Sequence, residues 1–60
     1  MEKLPENLDK ALRIIAKEVL ESIHVREIRM LLAGRYIIYQ KGFGWTVNEK
    51  GMQYLALHKS

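Results

Sequence analysis

Side chains able to do acid–base, nucleophilic or metal chemistry are few in these 60 residues. His24 and His58 stand far apart, and neither has a carboxylate partner at ligand spacing. The chain has no cysteine, so neither a thiolate zinc site nor a disulfide can form. Ser22 reads as a helix cap and Ser60 is terminal, so neither serine has the surroundings of an activated nucleophile. Gly42-Phe43-Gly44 is too short to cradle a phosphate, and it joins two strand-like runs instead of opening a helix. These residues predict no catalytic group, no metal site, no cofactor and no small-molecule substrate. The expectation is a binding protein, not an enzyme.

The chemistry that remains is charge and aromatic surface. Arg26 and Arg29 lie three apart in a helical run, Arg35 follows it, and Lys41 and Lys50 flank the later hairpin. Residues 24–60 hold six Lys/Arg against two Asp/Glu, whereas residues 1–23 hold four against five. Such asymmetry suits an anionic partner, of which nucleic acid is the commonest. The competing reading is a solvated basic surface, with Glu27 diluting the ridge. Phe43 poses a separate question, because an aromatic at a hairpin tip ought to meet water. It either wedges against a partner or a second copy, or folds back over Trp45 or Tyr39. Trp45 is expected in the core or an interface, and Tyr36, Tyr39 and Tyr54 as half-buried packing residues.

Positioning these groups falls to five elements. Leu8, Leu12, Ile15, Val19 and Ile23 recur at helical spacing, widened by Ala11, Ala16 and Leu20, and predict a helix from about Pro5 to Ser22. Pro5 suits its first helical position, and Glu6–Lys10 and Asp9–Arg13 suit a solvated outer face. The apolar phase slips after Ile23, since Val25, Ile28, Leu31 and Leu32 fall about one position out of step. A break near Ser22–His24 therefore starts a second helix, capped by Ser22 or His24 and ended by Gly34 in left-handed conformation. After Gly34 the period becomes two. A two-residue turn at Gly42–Phe43 pairs Ile38 with Val47, Tyr39 with Thr46 and Gln40 with Trp45. Asn48 then caps a last helix reaching about His58. The expected architecture is a single α+β domain over residues 1–60, in the order α-α-β-β-α.

A chain this short buries only about 60% of the surface its unfolded form exposes, so a lone copy should be marginal. A homodimer is expected, with Leu8, Leu12, Ile15 and Val19 at its interface. No apolar run approaches the roughly 18 residues of a membrane span, and no apolar signal segment opens the chain. A cytoplasmic location and no membrane partner follow as expectations.

The stretch VREIRMLLAGRYIIYQKGFGWTVNEKGMQYL, residues 25–55, resembles the back half of a winged-helix DNA-binding domain. Those domains run from a helix through a glycine-containing turn into a strand, a glycine-bearing wing and a second strand. A Leu-Thr-x-x-Gly-like sequence then leads into a helix. Val47-Asn48-Glu49-Lys50-Gly51 occupies that last position, with Asn48 where threonine is usual. The resemblance implies double-stranded DNA as partner and a role in transcription regulation or as an accessory DNA-binding factor. It also implies contacts from Arg26, Arg29, Arg35, Lys41, Gly42, Phe43 and Lys50. Freestanding domains this small in the family often come from phages, plasmids or prokaryotic viruses. One departure stands out: the family places three helices before the wing and this chain has room for two. The alternative expectation is a module that grips a partner protein through the aromatic wing and a helix face.

Overall fold

The computed structural model describes residues 1–17 and 23–59. Three helices and one hairpin follow each other as α1 (Glu6–Ala16), α2 (Val25–Ala33), β1 (Ile37–Gln40), β2 (Gly44–Val47) and α3 (Glu49–Leu57). The α-α-β-β-α order of a small α+β domain is therefore as the sequence suggested. Pro5 sits one place before its expected position, as the N-cap of α1, where its carbonyl accepts from the amides of Leu8 and Asp9. His24 caps α2: its Nδ1 accepts from the Arg26 amide at 3.1 Å. Val19, Leu20 and the alternative cap Ser22 lie outside the described residues.

The core gathers Leu8, Ala11, Leu12 and Ile15 from α1, Leu31 from α2, Ile37 from β1 and Tyr54 from α3. Helix α1 packs on both α2 and β2. Leu8, Leu12 and Ile15 were expected at a dimer interface, but they are buried within the chain itself. Within the single chain each keeps at most 9% of its surface. Helix α1 has one apolar stripe, and burying it inside removes that area from water without the entropy loss of association.

Two local expectations change in the structure, both through where a positive φ falls. The hairpin pairs Ile37 with Val47, Ile38 with Thr46, Tyr39 with Trp45 and Gln40 with Gly44. The expected register was one residue away. Gly42 is the third residue of a turn closed by the Phe43 amide on the Gln40 carbonyl at 2.9 Å, and its φ of 92° is what that position requires. Three residues thus connect the strands, and Gly44 adds a second positive φ of 83° at the start of β2. The shift matters because side chains alternate. Ile37, Tyr39, Trp45 and Val47 now share one face, so the core-facing Ile37 and Val47 continue outward into an aromatic pair.

At the end of α2 the left-handed residue is Arg35, at φ 65°, while Gly34 keeps a right-handed φ of −81°. The Arg35 amide bonds the Leu32 carbonyl and the Tyr36 amide the Leu31 carbonyl, a complete Schellman pattern. Gly34 is needed for another reason. A Cβ there would lie 2.8 Å from the Tyr36 ring, which folds back against the helix end. The glycine makes room for the ring, and the arginine takes the strained backbone.

Asp9 and Arg13 also depart from the expectation of a solvated face. They form the one ion pair among the described residues, at 2.7 Å. The Tyr54 hydroxyl donates to Asp9 Oδ2 at 2.6 Å and accepts from the Leu4 amide at 2.9 Å. Arg13 also donates to the His58 carbonyl, and the Tyr54 and His58 rings lie 4.6 Å apart. Helix α3 is thereby tied to α1 through a tyrosine that has no exposed surface. Its other flank is close-packed: a Cβ at Gly51 would overlap the Tyr36 carbonyl oxygen and lie 2.6 Å from Val47 Cγ1.

The bond from Arg13 holds the Asp9 carboxyl below its ordinary 3.8, while burial, with Asp9 as acceptor, raises the Tyr54 hydroxyl above its ordinary 10.0. The Asp9 contribution is complete above the unfolded carboxyl value and disappears as pH falls through the lower folded one. The Tyr54 contribution is complete below the unfolded phenol value and disappears as pH rises through the higher folded one. Replacing Tyr54 with Phe leaves the Leu4 amide without its partner and Asp9 Oδ2 with only the long 3.4 Å bond from Arg13. The expected cost is about 2 kcal/mol, or roughly 10 °C in thermal midpoint. Melting curves across pH check it: the Tyr54→Phe protein should lose the alkaline decline due to Tyr54.

Candidate nucleic-acid interface

Helix α2 divides its residues between two sides. Ile28 and Leu31 point to the core and Glu27 is half-buried beside them. At 100° per residue the other side collects Val25, Arg26, Arg29, Met30, Leu32 and Ala33, all exposed. Val25 keeps 59% of its surface and Met30 50%, unusual for apolar residues in a chain with so little core to build. The expected basic ridge of Arg26 and Arg29 is therefore present, and it stands within an apolar surround that the charge pattern did not disclose. The signal was available: Val25–Arg29 and Arg26–Met30 are each i,i+4 neighbours. Neither arginine has an ion-pair partner among the described residues.

The C-terminal end of α2 holds the next two expected residues. Arg35 is exposed at the corner, its carbonyl accepting from Asn48 Nδ2 at 3.2 Å. Asn48 also accepts from the Glu49 amide at 2.9 Å, so one amide side chain starts α3 and braces the end of α2. That dual use needs both a donor and an acceptor, which threonine supplies over a shorter reach. Lys50 Nζ donates to the Gly34 carbonyl at 2.9 Å and lies 4.6 Å from the Tyr36 ring centre. A cation at the negative end of a helix and over an aromatic face is stabilised there. Lys50 thus has a structural engagement that a phosphate contact would have to compete with.

The hairpin carries the remaining groups. Lys41, Gly42 and Phe43 form its tip and all are exposed, Phe43 to 81%. The phenylalanine does not fold back. Behind it the Tyr39 and Trp45 rings meet edge to face, their centres 5.3 Å apart. Trp45, expected in the core or an interface, remains 36% exposed, and Tyr39 remains 61% exposed. Tyr36 and Tyr54 by contrast are packing residues, their rings edge to face at 5.9 Å.

A shallow groove between α1 and α2 is lined by Asn7, Lys10, Ala11, Ile14, Ile23 and Glu27. It brings together no set of groups with evident acid–base or nucleophilic roles. Among the described residues no three His, Cys, Asp or Glu side chains gather where they could hold a metal ion. No helix of the described residues is long and apolar enough to cross a membrane. No known protein family, curated protein or solved structure matches the chain.

A non-glycine residue in left-handed conformation costs roughly 1–2 kcal/mol, offset in part by its lower unfolded-state entropy. Arg35→Gly is therefore expected to raise stability by about 0.5–1 kcal/mol in urea unfolding. The same variant should bind polyanions such as heparin or DNA more weakly. Unchanged polyanion affinity would assign Arg35 no part in the interface.

Proposed function

We propose that the chain binds double-stranded DNA as a small regulator or accessory factor, with α2 entering the major groove and the hairpin lying beside it as a wing. The observation that carries this reading is the outward face of α2, where Arg26 and Arg29 stand exposed among apolar side chains that the core leaves unused. Arginine there suits phosphate oxygens or a guanine edge, and the methyl-bearing neighbours suit thymine methyl groups. Arg35 at the helix end and Lys41 at the hairpin tip extend the positive surface along the duplex backbone. The shortage of one helix relative to a winged-helix domain is met by reading α2, the helix just before the hairpin, as the recognition helix. Helix α1 then serves as the packing support behind it.

A second reading has its own observation. The exposure of Phe43, with Tyr39 and Trp45 behind it, fits a module that inserts an aromatic hairpin into a partner protein.

Fluorescence anisotropy with random-sequence duplex DNA at several salt concentrations separates the two. Four phosphate contacts from Arg26, Arg29, Arg35 and Lys41 give a slope of log affinity on log salt of about −3.6. Arg29→Ala should weaken binding to every sequence and flatten the slope by about one. Absence of binding at low salt would discard the DNA reading in favour of the protein-binding hairpin.

A further inference from the structure

We infer that the hairpin of this chain takes an unpaired nucleobase, so that the preferred ligand is duplex DNA next to a single-stranded segment. The inference rests on the DNA reading above and narrows it to a substrate class. Tyr39 and Trp45 meet on one face of the hairpin, Phe43 stands exposed at its tip, and none of the three belongs to the buried core. What they offer is ring surface. The grooves of an intact duplex present base edges and phosphates, and its base faces are already stacked. An aromatic meeting paired DNA must first unstack a step, at a cost of a few kcal/mol. An unpaired base presents its face without that cost, and stacking of this kind tolerates any sequence.

Two features favour a nucleic-acid strand as the occupant. From Ile28 to Asn48 the chain has no Asp or Glu, while it carries Arg29, Arg35 and Lys41. The hairpin itself therefore presents no acidic side chain to a polyanion, and Lys41 shares its exposed tip with Phe43. The backbone on either side of Phe43 is also bare. At Gly42 and Gly44 an added Cβ would meet nothing within 4 Å, so the space around the ring's attachment is open to a bulky base and its sugar. Charge and aromatic surface thus converge on one ligand chemistry, a base face carried on a phosphate backbone.

Trp45 is the sole tryptophan, so its emission reports on this patch alone. Three probes share one duplex: blunt, with a short single-stranded tail, and with a tail of equal length whose sugars are abasic. The tailed duplex should bind roughly tenfold tighter than the blunt one and quench Trp45. The abasic tail, which adds phosphates without base faces, should give neither the full gain nor the quenching. Phe43→Ala should bring the tailed duplex close to the affinity of the blunt one, and Arg29→Ala should weaken both alike. Equal binding of blunt and tailed probes with unquenched emission overturns the base-stacking inference while the duplex reading stands. A gain reproduced in full by the abasic tail overturns it as well, since phosphates would account for the preference. Failure of every probe to bind at low salt overturns both.

Discussion

The Tyr54 hydroxyl must find hydrogen-bond partners, because its ring enters the core with no exposed surface. It finds them on two other segments: the Asp9 carboxylate on α1 and the Leu4 amide before it. That arrangement fixes where α3 lies. The position of α3 in turn sets Asn48 and Lys50 against the carbonyls of Arg35 and Gly34, and brings Gly51 against Tyr36 and Val47. The corner between α2 and the hairpin is therefore held from below by a helix that carries little of the outward-facing charge itself. A two-stranded hairpin alone is only marginally stable in water, and here its base is fastened on both sides.

So small a core leaves the two ends of the hairpin in different circumstances. Ile37 and Val47 at its base belong to the interior, while Tyr39 and Trp45 on the same face extend past the edge of the core. Helix α2 shows a similar division, with Leu31 buried and Met30 beside it in solvent. Both elements are firmly seated along one side and free along the other. A contact surface built this way needs little ordering when it meets a ligand.

Element identity and order were legible because the helical and strand periods are clean, although the end of α1, expected at about Ser22, falls at Ala16. The phase slip after Ile23 located the start of α2, and the change of period after Gly34 located β1. The register was not legible. Gly42 satisfies either a two-residue connection as its first residue or a three-residue one as its middle residue, and only the packing of Ile37 and Val47 against the core chooses between them. Gly34 misled for a related reason. A glycine after a helix usually marks a left-handed cap, but here its lack of a side chain is used by the Tyr36 ring, a contact no local pattern reveals. Asp9 and Arg13 have the spacing of a surface pair, and their bonds to Tyr54 and His58 come from residues at the far end of the chain. The exposed arginines of α2 were visible from residue type alone, whereas residue type left open whether Phe43 stays in solvent or folds back over Trp45 or Tyr39. The apolar surround of Arg29 was latent in the i,i+4 spacing of Val25 and Arg29, and the inward side of α2 shows that Val25 and Met30 stay exposed.

His58 Nε2 donates to the Met1 carbonyl at 3.0 Å, so the segments before α1 and after α3 meet at one place. Tension applied between them would not run along a ladder of strand bonds. It would load the Met1–His58 and Leu4–Tyr54 bonds, behind which α3 is still held by Arg13 on the His58 carbonyl and by Tyr54 on Asp9. A pull on the two ends would therefore bear on α3, whose Asn48 and Lys50 brace the corner between α2 and the hairpin.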